Sequence, residues 1–322
     1  MTEILIDGYN FEDDVKEIPY IDENIPEWGQ LSEQILNENV RLTLPVNYSL
    51  FLSDRYIRDI PVIIKTDGSI VFQGFVDKVD ETLREIVFTC KSATSVLFNS
   101  YLNNNSGAYV IDDAYPSDII KEILTLCGLT MNEISYNNAL SLHKGLDITF
   151  SVTASKLNAA EILEKICELT CAVIYFDDGE FYYKPYNPDA TPPVIEIEPE
   201  DWVTYPKIST PPVFGSVYNG IDIKYGSFGY MLNGTENPSR IVDMSTDSPV
   251  YTSSIITAQY IYDLYDSLGS SSKYQIEGML RTDIGDMLNK SSYILWEGKN
   301  YKMVNINKKQ NIGISIIAEA LV

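Results

Sequence analysis

Basic residues are scarce in this 322-residue chain: 23 Lys and Arg stand against 46 Asp and Glu, for a formal charge of −23. Proteins that bind nucleic acid do so by neutralising phosphates with clustered Lys and Arg, so this balance argues against specific nucleic-acid binding. It also disfavours a polybasic contact with an anionic bilayer. Histidine is scarcer still. With His143 the only one, a histidine-based nucleophile triad would rest on a single side chain. The sequence also lacks a GxSxG elbow, an HExxH pair, a GxGxxG turn and a GxxxxGKS/T loop, which removes the usual serine, zinc, dinucleotide and phosphate chemistry. The four cysteines, Cys90, Cys127, Cys167 and Cys171, form no CxxC pair. Cys167 and Cys171 stand four apart on a predicted helix far from His143, and they read as buried core thiols rather than metal ligands. Long apolar runs are absent too: the longest, 171–176, is far short of a membrane span. The acidic amino terminus lacks the basic start of a secretory signal. The expectation is a soluble protein made in the cytoplasm, with no membrane anchor.

What is present is an ordinary 45% hydrophobic content, which is enough to build a core. The length exceeds what one core usually serves, so two or three packed subdomains are expected. Runs at 41–46, 61–65, 69–79 and 85–91 are β-branched or aromatic, loosely alternating and bounded by turn residues. They predict strands of a small antiparallel barrel, with Thr66, Asp67 and Gly68 as a hairpin turn. Ahead of them, residues 1–40 hold eleven acids and only Lys16, a local charge of −10. This stretch reads either as a solvated arm or loop or as a docking surface for a basic partner.

From Ala114 the apolar period becomes helical. Ser117 is placed as N-cap, Ile119, Ile120, Ile123, Leu124 and Cys127 form a stripe, and Gly128 suits a left-handed C-cap. A second helix is predicted over 155–170, with Asn158 and Glu161 spaced as a capping box and Glu161 and Lys165 as an i, i+4 pair. A hairpin then runs from Ala172 to Phe176, turns through 177–180 and returns from Phe181 to Lys184. Pro206 to Pro212 reads as an extended connector. A third helical stripe of Ala258, Ile261, Tyr265 and Leu268 closes at Gly269. Strands are predicted at 293–296, 301–306 and 312–317, the first two joined by a turn over 297–300. Both ends thus offer a β-meander of small-barrel length, which hints at duplicated domains.

No catalytic constellation emerges. His143 in SLHKG reads as a loop residue. The acid clusters Glu12, Asp13, Asp14 and Asp112, Asp113 lack the alternating spacing of a calcium loop, and exposed turns account for them. The 23 tyrosines, crowded at Tyr182, Tyr183, Tyr186, Tyr218, Tyr225, Tyr230, Tyr260, Tyr262 and Tyr265, serve either as β-rich core and edge packing or as an interface, since the phenol joins a large apolar face to a polar tip.

Three runs carry a family resemblance: TASKLNAAEILEKICELTCAVIYFDDGEFYYKPYNP (153–188), PPVFGSVYNGIDIKYG (211–226) and MLRTDIGDMLNKSSYILWEGKNYKMVNINKKQNIGISIIAEA (279–320). Their order resembles phage tail hub proteins: a helix feeding a hairpin that ends in Pro, a strand with a Tyr-Asn-Gly-like segment, and a last barrel with a Gly-Asp step before a short hairpin. These are the baseplate hubs of contractile tails and the tail-tip hubs of long flexible tails, related to late control protein D. The resemblance spans most of the chain from about Val62.

The resemblance implies an α+β, mainly antiparallel fold with two tube-like β-barrels and an intervening α/β segment. Residues 1–105 would form the N-terminal barrel with its acidic arm, and 106–205 the α/β domain. Residues 206–322 would form a second barrel from strands at about 211–228 and 273–322, with a helical insertion at about 229–272. It also implies a homotrimer whose six barrels imitate sixfold symmetry around a DNA channel, matching the tail tube protein on one side and a spike or tip protein on the other. Tape-measure or distal tail protein would be a further partner. No enzyme activity, catalytic residue, metal or cofactor is expected, and the chain would reside in the virion tail. The chain stops at Val322 without a lysozyme-like or spike-like domain, so cell-wall cleavage is expected of other proteins. The alternative is a receptor- or carbohydrate-binding tail protein that uses exposed tyrosines. In a hub, carboxylates lining the bore would repel passing DNA. The charges also differ in sign along the chain, from −10 over residues 1–40 to +3 over 289–322, a polarity suited to pairing neighbouring chains or adjacent tail layers.

Overall fold

The computed structural model describes residues 2–11, 15, 21–24, 39–45, 60–66, 68–102, 109–154, 157–177, 179–186, 194–209, 221–232, 240–269, 275–285, 287–288, 292–309 and 313–320. Alternation dominates the first hundred residues and dictates strands with one face inward. Val40, Leu42 and Leu44 on Asn39–Pro45 turn to the same side as Val62 and Ile64 on Pro61–Thr66, and as Ile86, Phe88 and Cys90 on Glu85–Ser92. With Ile4, Ile6, Phe72 and Val76 they make the N-terminal core. The four predicted strands are present, each one or two residues longer than expected; Val46, at the predicted end of the first, lies outside the described residues. Gly68 supplies the left-handed turn residue (φ 89°), while Asp67 lies outside the described residues.

Within the acidic amino-terminal stretch, Thr2–Ile6, Tyr9–Asn10 and Ile21–Asn24 are strands. Thr2–Ile6 pairs antiparallel with Pro61–Thr66 because Ile4 and Ile6 alternate into the core; Glu12, Asp13 and Asp14 lie outside the described residues. Ile21–Asn24 pairs with Asn39–Pro45 on one side and Lys299–Lys309 on the other. That short strand joins the two meanders into one curled, half-barrel sheet of thirteen strands. Beyond it the sheet continues through Gly313–Ala320 and Gln275–Leu280 to an outer strand, Trp202–Ser209. The carboxyl-terminal core lies against this half: Trp202, Ile276, Leu280, Ile294, Trp296 and Ile314 among others. The hairpin from Tyr293–Trp296 into Lys299–Lys309 turns on Glu297 and Gly298, both left-handed (φ 48° and 74°), tighter than the four-residue turn the sequence suggests. Pro206 to Ser209 belongs to the outer strand rather than to a connector, and 210–220 lie outside the described residues.

The central core is helical on one side. The helix Pro116–Leu126 begins on its proline, which suits a first position with no free N–H, so Ser117 sits inside the helix and buried rather than capping it. Gly128 follows the C-cap Cys127 with φ 73°, as expected. The helix Ala159–Thr170 starts at the expected capping box of Asn158 and Glu161. Because the Glu161 carboxylate accepts from the Asn158 N–H at 2.8 Å, Lys165 pairs instead with Glu168, at 2.9 Å. Cys167 and Cys171 are buried thiols. A helix that the sequence reading missed, Glu133–Leu146, carries His143.

The 221–226 segment departs from its expected place in a second barrel. Ile221–Gly226 forms a separate three-stranded sheet with Tyr230–Leu232 and, in parallel, Arg240–Ser245, and Ile221, Ile223, Val242 and Met244 enter the central core. The expected helical insertion is therefore partly strand. It is stitched in through Val250–Tyr251, which pairs with Phe150–Ala154, before the helix Ile255–Gly269 buries Ala258, Ile261, Leu264 and Tyr265. The Leu268 side chain lies outside the described ones.

Gly74 shows how closely the N-terminal sheet is packed. A Cβ there would meet the Lys91 carbonyl oxygen at 1.9 Å, with backbone rather than a flexible side chain in the way. Gly74→Ala is expected to lower stability by more than about 2 kcal/mol in a denaturant titration, with Gly68→Ala milder because the strain there is confined to one turn. Equal, small losses would contradict this packing.

Candidate functional site

The hairpin of Val173–Asp177 and Glu180–Lys184 lies between the central and carboxyl-terminal cores, and its tip approaches the N-terminal sheet. Its register sets Ile174 opposite Tyr183 and Phe176 opposite Phe181, and these four face the central core. The intervening pair, Tyr175 and Tyr182, projects to the other face with rings stacked at 5.1 Å and 6°. Tyr175 packs against the carboxyl-terminal core. Lys184 lies with Nζ 5.5 Å from the Tyr293 ring centroid, and burial holds its pKa below the usual lysine value. At the tip, a Cβ on Gly179 would sit 3.6 Å from Gln73 Oε1 and 3.7 Å from Ile70 Cδ1 of the N-terminal sheet.

The free edge of this hairpin is covered. The Asn132 N–H donates to the Phe181 carbonyl and the Phe181 N–H to the Thr130 carbonyl, each at 2.8 Å. Ser135 Oγ donates to the Tyr183 carbonyl at 2.8 Å and accepts from the Tyr183 N–H at 2.9 Å. Asn132 also caps the helix Glu133–Leu146, accepting from the Ser135 N–H at 3.0 Å while its amide donates to Glu180 at 2.7 Å and to the Tyr182 hydroxyl at 3.3 Å. Between this helix and the outer hairpin face opens a groove of about 440 Å³, lined on one side by Asn132, Ser135, Asn138 and Leu142 and on the other by the stacked tyrosines.

Beneath the groove sits His143, fully buried. It lies 5.8 Å from the Tyr183 ring, and its Nδ1 is 3.5 Å from Ser117 Oγ. Its Nε2 has no hydrogen-bond partner. The sequence reading placed it in a loop; the polar SLHKG surroundings hid a helix whose buried positions are only Ala139 and His143. Tyr183, also buried, donates to Thr170 Oγ1 at 2.9 Å. Nearby, Tyr136 donates to Asp118 at 2.7 Å, and that carboxylate raises the phenol to about 12.

The crowded tyrosines mostly serve packing. Tyr183 and Tyr265 are buried, Tyr182, Tyr186, Tyr225, Tyr260 and Tyr262 half-buried, and Tyr230 is exposed; Tyr218 lies outside the described residues. Among the described residues no group of three His, Cys, Asp or Glu side chains is arranged to hold a metal ion. Asp113 has a left-handed backbone (φ 50°) and accepts from Thr149 Oγ1 at 2.6 Å, a turn role. No described helix is long and apolar enough to cross a membrane.

No family model and no curated relative matches the sequence. Solved structures do match its fold. The 43 kDa tail protein of prophage MuSo2 from Shewanella oneidensis matches at 10% identity with a TM-score of 0.57, over 99% of this chain and 97% of the other. This is a fold found in phage tail proteins. The tail protein from Neisseria meningitidis MC58 matches at 8% identity and 0.58, over 99% and 95% of the two chains. Prophage tail protein gp18 from Listeria monocytogenes EGD-e matches at 10% and 0.55, over 99% and 94%.

His143 gives this tail-protein fold a pH signature. Burial lowers its pKa from 6.5 to about 3. Between those values the unfolded chain takes up a proton that the native chain refuses, so stability falls as pH drops from 6.5 towards 3 and is unaffected by this group above 6.5. The slope from this residue is at most about 1.4 kcal/mol per pH unit. Denaturant titrations of the parent and His143→Leu at pH 7 and pH 4.5 are expected to diverge, with the variant losing less; parallel losses would show that the imidazole is accessible or partnered.

Proposed function

We propose that the chain is a non-enzymatic structural component of a phage or phage-like tail, located in the virion. In this reading it is the hub that joins the tail tube to the tip or spike complex. The observation that carries it is a fold likeness to three tail proteins extending over 99% of the chain. A likeness that spans both meanders and the α/β middle favours a role for the whole architecture rather than for one grafted site.

The finer form of the proposal is a homotrimer. The N-terminal unit (residues 1–105) and the carboxyl-terminal unit (206–322) each contribute one barrel-like wall, and the α/β unit (106–205) spaces them. Three chains would then offer six near-equivalent surfaces to a tube on one side and threefold symmetry to a spike or tip on the other. Tape-measure or distal tail protein remains a further partner in this scheme. The charge of −23 suits a conduit whose wall should not hold DNA.

Light scattering coupled to size-exclusion chromatography is expected to give three times the chain mass, and a purified tail-tube protein is expected to co-elute with it. A monomer at micromolar concentration that joins neither tube nor spike protein would overturn the hub reading.

A further inference from the structure

We infer that His143 is an acid-sensitive latch: the neutral imidazole holds the helix Glu133–Leu146 against the 173–184 hairpin, and protonation releases that helix locally while the rest of the fold stays closed. The inference is independent of the hub reading, which gives the histidine no role.

The helix is weakly held. Its buried positions are only Ala139 and His143, so the imidazole is the larger of two anchors, and Leu140 and Leu142 beside it are half-buried. The other attachments lie near the start of the helix: Ser135 on the Tyr183 backbone, the Tyr136 to Asp118 hydrogen bond and the exposed Glu133–Lys121 pair. Polar contacts of this kind contribute little net stability. An element with so few buried apolar contacts opens at lower cost than the core around it.

The anchor works only while the ring is neutral. His143 is fully buried, its Nε2 has no hydrogen-bond partner, and its Nδ1 stands at 3.5 Å from Ser117 Oγ. A proton would place a charge there with no counter-charge to meet it. From the helix Pro116–Leu126 the group that faces the ring is Ser117; Asp118 is turned to Tyr136, Lys121 to Glu133 and Glu122 to Tyr109. From the hairpin it is Tyr183, whose phenol burial keeps neutral, while Glu180 accepts from Asn132 and Lys184 lies by the Tyr293 ring. On the helix itself Lys144 lies by the Tyr115 ring, and the last-turn carbonyls of His143 and Lys144 accept from the Ile148 and Asp147 N–H groups. Burial alone lowers the imidazole pKa, from 6.5 to about 3.

His143 is the one histidine of the chain, and no other side chain has an ordinary pKa between pH 5 and 8. An opening that responds in that window therefore reports this residue. The closed helix refuses the proton and the released helix accepts it, so opening is insensitive to pH above 6.5 and about tenfold easier for each unit below. Release uncovers the hairpin edge at Tyr183, whose N–H and C=O are bonded to Ser135 Oγ at 2.9 and 2.8 Å.

Native-state hydrogen exchange of the full chain at pH 7.5, 5.5 and 5.0, corrected for intrinsic amide rates, tests the latch. The amides of 137–146 and of Tyr183 are expected to open about tenfold more often at pH 5.5, and about thirtyfold at pH 5.0, than at pH 7.5. They should stay less protected than Tyr293–Trp296 at each pH. His143→Leu keeps an apolar anchor without the titrating group, and its helix opening is expected to change by less than about twofold over the same range. Should that variant fail to fold, a finer pH series on the parent decides, with opening flat above pH 6.5 and rising below it. Helix amides as protected as Tyr293–Trp296 would tie the proton to global unfolding and overturn the inference. So would helix opening that ignores pH, or a pH response that persists in His143→Leu.

Discussion

The hairpin of Val173–Asp177 and Glu180–Lys184 has to bury both of its faces, and the arrangement of the other elements follows from that requirement. A two-stranded hairpin alone is marginal in water. This one carries Ile174, Phe176, Phe181 and Tyr183 on one face and the Tyr175–Tyr182 stack with Lys184 on the other. The first face is covered by the helices of the central core, the second in part by the carboxyl-terminal core, and the tip by Ile70 and Gln73 of the N-terminal sheet. The hairpin thereby packs between the central and carboxyl-terminal clusters and meets the N-terminal sheet at its tip, while Ile21–Asn24 joins the two halves of that sheet.

The large sheet imposes a second constraint, because a thirteen-stranded sheet must end somewhere. A side branch ends on the three-residue strand Val194–Glu196, and at one end of the main path lies the two-residue strand Tyr9–Asn10, too short to template another chain. At the other lies Trp202–Ser209, whose Val203, Tyr205 and Ile208 are exposed. Pro206 removes one donor from that edge, and two register shifts against Gln275–Leu280 break its regularity. Both devices oppose indiscriminate strand pairing.

Much of this was legible in the sequence where the signal was local. Alternation at Val40, Leu42, Leu44 and at Ile86, Phe88, Cys90 fixes strands and their inner faces, and the Asn158–Glu161 spacing fixes a helix start. The partners of those strands were not legible when they lay far away in the chain. Ile21–Asn24, with three polar residues in IDEN, reads as part of an acidic arm, yet backbone pairing to Asn305, Ile306 and Asn307 makes it the junction of the sheet. Ile221–Gly226 alternates plainly, but its parallel partner Arg240–Ser245 requires a crossover that composition does not announce. The groove was hidden for both reasons: the helix bearing Asn132 to Leu142 has few apolar positions, and its other wall comes about forty residues later, at Tyr175 to Pro185.

The shared dependence on the hairpin is tested most directly by native-state hydrogen exchange on the parent chain and on Tyr175→Ala, which alters only the outer face. If the hairpin binds the clusters together, amides of Tyr293–Trp296 in the carboxyl-terminal half and of Val173–Asp177 should lose protection together. Loss confined to the hairpin, with the carboxyl-terminal strands as protected as in the parent, would contradict the account.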